Sequence, residues 1–354
     1  MATDIPMTTL MEEIAQQPAV LSGLRKFYTS PGAIPSKALR SMVSRWPPTV
    51  VFTGMGSSMY AAYPAQAYLN SQGIRALIWE TGELVDHLRN VQGPDILLVV
   101  VSQSGETAEV LRLLDAFPRE EGLVAVCNME ASSLARRANL LLPMMAGRPA
   151  AVGTKTYVCA VAVLMYLAVA IARKPPQALT QALMQAIEAQ EKILERGDEV
   201  TSATVEYFDN PHYIALLSRG AELASAYQGA LLFKEVAKMG AEPMSAAQFR
   251  HGPMEIIDPA HRYIIFARQK EIGRKRQADT GLFKLAKDIR KHGGRVLLYA
   301  DEPFADATNV RLIPVEPVRM GLGTLIDSVY IQLLVHELAL RAGLEPGSFR
   351  FAMS

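Results

Sequence analysis

Apolar runs that alternate with helical segments are the feature that most constrains the fold of this chain of 354 residues. In the first half, uninterrupted apolar runs predict strands at 50–53, 74–79, 96–101, 123–127 and 140–142. Continuous runs of this length are typical of strands that are buried on both faces of a parallel sheet. Because helical segments lie between them, the pattern predicts a doubly wound, three-layer α/β/α fold.

The second half repeats this plan more loosely, which predicts two similar α/β units. Its strands are expected at 213–217, 263–267, 295–299 and 311–314, with a long helix at 221–239. Helical segments near 154–172 and 323–342 close the two halves. The predicted organisation is an N-terminal helical arm at 1–45 that Pro18 interrupts, a first domain at 46–174, a helical connector at 175–200, a second domain at 201–342 and a tail at 343–354.

Charge and composition exclude several classes of partner. The net charge of +1 predicts no general attraction to nucleic acid or to a membrane surface. The uncharged segment 156–172 is alanine-rich and lies at the short edge of the roughly 17–25 residues that a membrane span requires, so we predict a buried helix. Cys127 and Cys159 lack metal-ligand spacing and are expected to be small core residues in a reducing compartment. The start of the chain has no basic-then-apolar segment, and we expect a cytoplasmic protein.

A cluster of hydroxyl groups lies between a predicted strand and the start of a predicted helix. Backbone N–H groups and the helix dipole at such a point favour a bound anion without any lysine or arginine. Helix capping by serine or threonine would explain one or two of these side chains but not the whole set. We therefore predict a phosphate-binding loop formed by Ser102, Gln103, Ser104 and Thr107.

Candidates for the chemistry lie in the second half. Glu235 ends a mostly apolar stretch, where desolvation is expected to raise its pKa and make it a base near neutral pH. The alternative is an exposed glutamate that pairs with Lys234 or Lys238 on the helix surface. His251 precedes a Gly-Pro pair that fixes a turn, where a histidine has a structural or a catalytic role.

Other charged residues have less distinctive surroundings. Glu242 and Glu255 are expected to be supporting or surface groups, and Lys155 is either a solvated helix start or part of a Gly-Thr turn that closes over a sugar. The Gly-Met-Gly segment at 54–56 is only a fragment of a dinucleotide fingerprint, which leaves a nucleotide-binding enzyme as an alternative. A basic run is predicted to be a solvated surface, and its members are Arg268, Lys270, Arg274, Lys275 and Arg276.

Five motifs together resemble those of the sugar isomerase (SIS) superfamily, in particular tandem members such as the isomerase half of glutamine–fructose-6-phosphate aminotransferase. They are SQSGET at 102–107, a CN…SSLA-like stretch at 127–135, GTK at 153–155, FKE at 233–235 and RHGP at 250–253. The resemblance covers about residues 45–345 and implies two flavodoxin-like SIS subdomains with parallel sheets. It also implies phosphorylated sugars, often amino sugars, as substrates, and this chemistry requires no metal or organic cofactor.

The resemblance also implies roles for individual residues. Glu235 matches the family's base, which moves a proton between C1 and C2, and His251 matches the residue that assists ring opening. In the family that histidine comes from the neighbouring subunit, so we expect a homodimer with shared active sites. The residues expected to bind the phosphate or the sugar are Gly56, Ser57, Ser58, Ser102, Gln103, Ser104, Thr107, Ala151, Gly153 and Lys155.

Departures from the aminotransferase-type pattern leave the reaction open. Leu232 stands where that family has a lysine, Gln228 stands at an acidic position, and the tail has Arg350 but no lysine. Arginine stays protonated and is a poor proton carrier. We also expect no glutaminase domain. The sequence thus predicts an aldose–ketose phosphosugar isomerase or an amino-sugar-phosphate deaminase, and a fructosamine-6-phosphate-type deglycase and a non-catalytic phosphosugar sensor are the alternatives.

Overall fold

Two five-stranded parallel sheets form the centre of the computed structural model, which describes residues 9–87, 93–117, 122–148, 152–272, 275–277, 279–304 and 308–351. The first half contains α1 (Thr9–Tyr28), α2 (Ser36–Ser41), β1 (Thr49–Gly54), α3 (Ser57–Tyr60), α4 (Tyr63–Ser71), β2 (Ala76–Glu80), α5 (Thr81–His87), β3 (Ile96–Ser102), α6 (Ala108–Ala116), β4 (Leu123–Cys127), α7 (Ser133–Arg137), β5 (Leu140–Pro143) and α8 (Lys155–Ile171). The connector contains α9 (Gln177–Glu195) and α10 (Gly197–Val205). The second half contains β6 (Tyr213–Ser218), α11 (Leu223–Glu235), β7 (Glu242–Ser245), α12 (Ala246–Arg250), β8 (His261–Ala267), β9 (Lys270–Ile272), β10 (Lys275–Gln277), α13 (Thr280–Lys291), β11 (Arg295–Ala300), β12 (Val310–Pro314) and α14 (Gly323–Arg341).

Both large sheets have the same strand order. The first runs β2-β1-β3-β4-β5, and the second, read from its opposite edge, runs β7-β6-β8-β11-β12. All pairs in these two sheets are parallel. This is the flavodoxin-like order, in which ligands bind beyond the carboxyl ends of the strands at the point where the order reverses. The predicted pair of doubly wound α/β units is therefore confirmed, and the first switch point lies between β1 and β3.

Two parts of the second half were not predicted from the sequence: the edge strand β7 of its large sheet and a separate two-stranded sheet. The edge strand β7 contains Pro243 and is only partly buried, so it lacks the apolar run that marks the other strands. The antiparallel hairpin β9–β10 follows β8. In the first half, the corresponding position after β3 is occupied by the predicted phosphate-binding loop at 102–107, which we call the hydroxyl loop. The second half therefore carries an insertion where the first half has its candidate anion loop.

The predicted solvated basic run is wrong for Arg268. Its side chain is 2% exposed and forms an ion pair with Asp327 of α14, which is 1% exposed. The guanidinium also donates to the carbonyl of Glu316 at 3.0 Å, and Ser225 donates to the same aspartate at 2.7 Å. A Cβ at Gly323 would overlap with the arginine side chain. Arg268 directly follows β8, so an internal ion pair occupies the second switch point; Arg274 of the run lies outside the described residues.

Helices α8 and α14 are buried on nearly all sides. In α8 every residue except Ala170 is buried, because the helix packs against α1, α4 and β4. This confirms the prediction of a buried apolar helix, and among the described residues no helix is long and apolar enough to cross a membrane. Both cysteines are fully buried, and burial raises the pKa of Cys159 to about 12. They are core residues, as expected.

Helix α1 of the N-terminal arm runs without a break through Pro18, so the predicted interruption is wrong. Proline removes one backbone donor and crowds the preceding turn. Tertiary packing outweighs this cost, because Leu10, Ile14, Leu21 and Leu24 are fully or almost fully buried and α1 packs on α8 and α9. The connector, predicted as one helical segment, is divided into α9 and α10.

Candidate functional site

The hydroxyl loop follows β3 at the first switch point. Ser102 is buried, and its Oγ accepts a hydrogen bond from the Gly105 N–H at 3.0 Å. The Oγ of Ser104 accepts from the Glu106 N–H at 3.2 Å. Both hydroxyls accept in these bonds, so their protons remain available for an anion. Thr107 is the N-cap residue of α6 but makes no side-chain capping bond, so capping does not account for its exposed hydroxyl.

The loop has a shape that requires glycine at position 105. Gly105 has a φ of +67°, and a Cβ there would overlap with the Ser132 hydroxyl and lie 3.0 Å from the sulfur of Cys127. The Glu106 carboxylate accepts from the Ser133 N–H at 2.6 Å, at the start of α7. These contacts hold the loop against the end of β4.

Two further turns of the first half lie beside this loop. Thr156 at the start of α8 donates to the side-chain oxygen of Gln103 at 3.1 Å. A Cβ at Gly153 would lie 3.0 Å from the Oγ of Ser57, so the turn before α8 and the turn after β1 are in contact. Gly56 has a φ of +49°, and Ser57 and Ser58 form the first half-buried turn of α3. The structure therefore brings together the predicted binding segments at 56–58, 102–107 and 153–155, with Thr156, which was not predicted, forming one of the links.

Helix α11 connects these turns to Glu235. Gln228 donates to the Gly153 carbonyl at 3.1 Å, and Leu231 lies 3.6 Å from the position that a Cβ on Gly56 would take. Glu235 ends α11 and is half-buried. Burial raises the pKa of its carboxyl group to about 7, against smaller lowering effects of Lys238 and Lys234.

Tyr60 of α3 lies within electrostatic range of this glutamate. The pKa of the Tyr60 hydroxyl is raised first by burial, then by Tyr227 and then by the charge of Glu235. The carboxyl group of Glu235 is therefore close to the end of the first serine-containing turn. Glu235 is half-buried and not exposed, and none of the ion pairs between described residues joins its carboxylate to Lys234 or Lys238, so the desolvated alternative describes it better.

Lys238 is a residue whose position the sequence did not reveal. It has a φ of +56°, and its ammonium donates to the Glu235 carbonyl and, at 2.6 Å, to the Ser348 carbonyl of the C-terminal tail. It also lies 5.7 Å from the ring centre of Phe349. A Cβ on Gly347 of the tail would lie 3.4 Å from the Cβ of Leu10 and 3.9 Å from a methyl group of Val152. The tail thus packs beside the end of α11, although it contains no lysine of its own.

The remaining candidates have separate surroundings. His251 is exposed at the end of α12, and Glu255 is also exposed. Glu242 accepts from the Tyr213 hydroxyl at 2.6 Å on the exposed edge strand β7. Lys155 is buried, so it is not a solvated helix start; its ammonium is 3.4 Å from the Glu13 carboxylate and donates to the side-chain oxygen of Gln16 at 2.7 Å. Ala151 lies outside the described residues.

No cluster of potential metal ligands occurs in the part of the chain that the structure describes. The fold and the site define a tandem, doubly wound α/β protein in which the loop after β3 in one half is joined to α11 of the other half. Residues 43–170 match the family described as SIS domain, so this segment of the chain, which contains the first α/β unit, is similar to that family.

Relatives and solved structures support this assignment. The chain is 30% identical over 261 residues to glutamine–fructose-6-phosphate aminotransferase [isomerizing] of Yersinia pseudotuberculosis, a match that covers 71% of this chain but only 42% of that protein. The C-terminal domain of glucosamine-fructose-6-phosphate aminotransferase from Francisella tularensis has a TM-score of 0.83 at 20% identity, covering 98% of this chain and 99% of that one. Glucosamine-6-phosphate deaminase from Thermotoga maritima has a TM-score of 0.67 at 21% identity, covering 96% and 97%. These structures show that the fold extends through the second half.

Proposed function

We propose that the protein is an enzyme of the phosphosugar isomerase type that acts on a sugar 6-phosphate, an amino sugar phosphate in particular. One observation carries this proposal: the hydroxyl loop is linked through the turn before α8 to the helix that ends in Glu235. The relatives are named for fructose 6-phosphate, and one of the similar structures for glucosamine 6-phosphate, which supports this substrate class.

The phosphate is proposed to bind to neutral donors of the loop after β3. The hydroxyl protons of Ser102, Ser104 and Thr107 and the positive end of α6 face one anion there. Binding energy from the phosphate, which does not react, then positions the carbon atoms at the other end of the sugar. Gln103, held by Thr156, and the turns at 56–58 and 153–155 complete the binding surface in this proposal.

Glu235 is the proposed base. A carboxyl group with a pKa of about 7 is partly ionised at neutral pH, so it is suited both to accept a proton and to return it. In the open-chain sugar, the carboxylate takes the proton from the carbon next to the carbonyl or imine, which gives an enediol- or enolamine-like intermediate. Return of this proton to the neighbouring carbon completes the isomerisation.

The fate of nitrogen depends on the substrate in this proposal. With an amine on C2, the proton transfer from C2 to C1 converts the amine into an imine at C2. Water then adds to the imine carbon, and ammonia leaves to give the 2-ketose phosphate. With a hydroxyl group on C2, the same transfer interconverts the aldose and the ketose without loss of nitrogen.

We further propose that the active enzyme is a homodimer in which His251 of the partner subunit assists ring opening. The exposed position of the imidazole supports such a role between subunits. Mixing Glu235→Gln protein with His251→Ala protein under conditions of subunit exchange should restore activity, because some mixed sites contain both intact groups. Two inactive variants that stay inactive after verified exchange would contradict the shared site.

The reaction is tested by incubating the protein with fructose 6-phosphate and with glucosamine 6-phosphate in heavy water. Deuterium at C1 or C2, measured by NMR, and released ammonia are the expected results. Glu235→Gln should abolish both and leave sugar-phosphate binding nearly unchanged. Glu222→Gln is the matched control, since burial also raises the pKa of Glu222 to about 7 although it lies at the other end of α11. Binding without any exchange in the wild type would identify a sensor instead of an enzyme.

A further inference from the structure

A groove of about 910 Å³ lies at the opposite end of α8 from the candidate site. It is formed by the end of α1, by α2, by the segment before β1, and by the residues that lead from α8 into α9. Its volume is in the range of sites that bind small molecules. Neither Glu235 and its neighbouring lysines nor the residues of the hydroxyl loop line this groove.

The groove is cationic although the charges of the whole chain nearly balance. Lys37, Arg40, Arg173 and Lys174 line it, and none of the described lining residues is acidic. All four side chains belong to exposed residues, and none forms an ion pair within the described part of the chain. Four uncompensated cations around one cavity favour a ligand with several negative charges, such as a chain of phosphates.

The aromatic side chains of the groove favour a ligand that also has a planar ring. Trp46 is half-buried, and the guanidinium groups of Arg173 and Arg40 lie 5.3 and 6.0 Å from its ring centre. Tyr28 and Tyr166 are stacked on each other with ring centres 5.5 Å apart. Their hydroxyls have partners in Pro143 and Thr180, so these rings offer mainly apolar surface to the groove.

From this combination we infer that the groove is a binding site for a nucleoside diphosphate. The phosphates bind between Arg40 and Arg173, with Lys37 and Lys174 at the rim. The base packs against the indole of Trp46 and the arginine planes, which are surfaces on which nucleobases stack. Because α8 has 17 residues and rises about 1.5 Å per residue, this site lies roughly 25 Å from Thr156 and the hydroxyl loop. A nucleotide in the groove therefore does not compete with a sugar phosphate.

Tryptophan fluorescence can report binding at this site, since the chain has two tryptophans. Trp79→Phe leaves Trp46 as the single tryptophan, which is excited selectively, and this protein is titrated with ADP, GDP and UDP. Inorganic phosphate, ribose 5-phosphate and adenosine are titrated in parallel, and calorimetry measures each affinity independently. We expect at least one nucleoside diphosphate to change the Trp46 emission and to bind at least tenfold more tightly than each partial ligand. Saturating glucosamine 6-phosphate should leave this affinity unchanged.

Two double variants that each remove two positive charges distinguish specific binding in the groove from non-specific electrostatic attraction of the nucleotide to the protein. Arg40→Ala with Arg173→Ala should lower the affinity at least tenfold, which corresponds to about 1.4 kcal/mol or more. Arg290→Ala with Lys291→Ala removes two exposed cations at the end of α13 and should change it less than twofold. Circular dichroism confirms folding of each variant. The inference is overturned if no diphosphate binds, if phosphate alone binds equally well, if both double variants lose affinity equally, or if the sugar phosphate displaces the nucleotide.

Discussion

Glu235→Gln tests the desolvation of the proposed base without reference to any substrate. Burial moves the pKa of this carboxyl from its ordinary 4.5 to about 7. Each pKa unit corresponds to about 1.4 kcal/mol, so the full shift sets a ceiling of about 3 kcal/mol. Because the side chain is only half-buried, solvent screening reduces the expected effect on the free energy of unfolding to about 2 kcal/mol.

The direction of this effect follows from which state ionises first. Below pH 4.5 the carboxyl group is protonated in both states and costs nothing. Between pH 4.5 and about 7 the unfolded chain ionises before the folded one, so the wild type loses stability as the pH rises. Above pH 7 the full cost is present. The glutamine variant has no such titration. The difference in unfolding free energy, variant minus wild type, should therefore be about 2 kcal/mol larger at pH 8 than at pH 4.5.

Urea denaturation at a series of pH values measures this difference directly. The difference in unfolding free energy between variant and wild type should rise through the window from pH 4.5 to 7 and then stay level. A difference that is the same at all pH values would show that the carboxyl group is not desolvated, and the assignment of a base active at neutral pH would lose its physical support. Glu242→Gln, at an exposed site, is the control for the loss of a carboxyl group as such.

Three other predictions concern the loop, the second switch point and the lysine beside the base. Ser104→Ala with Thr107→Ala should weaken sugar-phosphate binding by about 2 kcal/mol, or roughly thirtyfold, in calorimetry, since each lost hydrogen bond is worth about 1 kcal/mol; unchanged affinity would refute the anion loop. Arg268→Met should destabilise the protein by about 3–5 kcal/mol in urea because it leaves Asp327 buried without its partner, and adding Asp327→Leu should restore most of the loss; no recovery in the double variant would speak against the ion pair as the cause. Lys238→Met removes a charge that lowers the pKa of the proposed base, so the rising limb of the activity profile should move to higher pH, and a limb that stays in place would contradict this interaction.

The sequence was most informative where a local pattern of side chains is typical of a single kind of structure, as an apolar run is of a buried strand. The apolar runs predicted every strand of the two large sheets except the short edge strand β7, and they did not predict the separate hairpin β9–β10. It was least informative where distant contacts decide. Pro18 lies inside a helix because α8 and α9 cover that helix, and Arg268 is buried because Asp327 lies opposite to it from another element. Neither partner is recognisable from residues nearby in the chain.

The candidate site divides in the same way. The loop from Ser102 to Thr107 was recognisable because strand, hydroxyl-rich turn and helix follow each other directly in the sequence, and a chain of this local geometry exposes N–H and O–H donors wherever it folds. The contact of Lys238 with the C-terminal tail joins residues 110 positions apart, and the desolvation of Glu235 is a consequence of burial, so only the tertiary structure determined them. The chemical groups that a loop presents are determined by residues that are adjacent in the sequence. The burial and the electrostatic environment of each group depend instead on which distant parts of the chain pack against it.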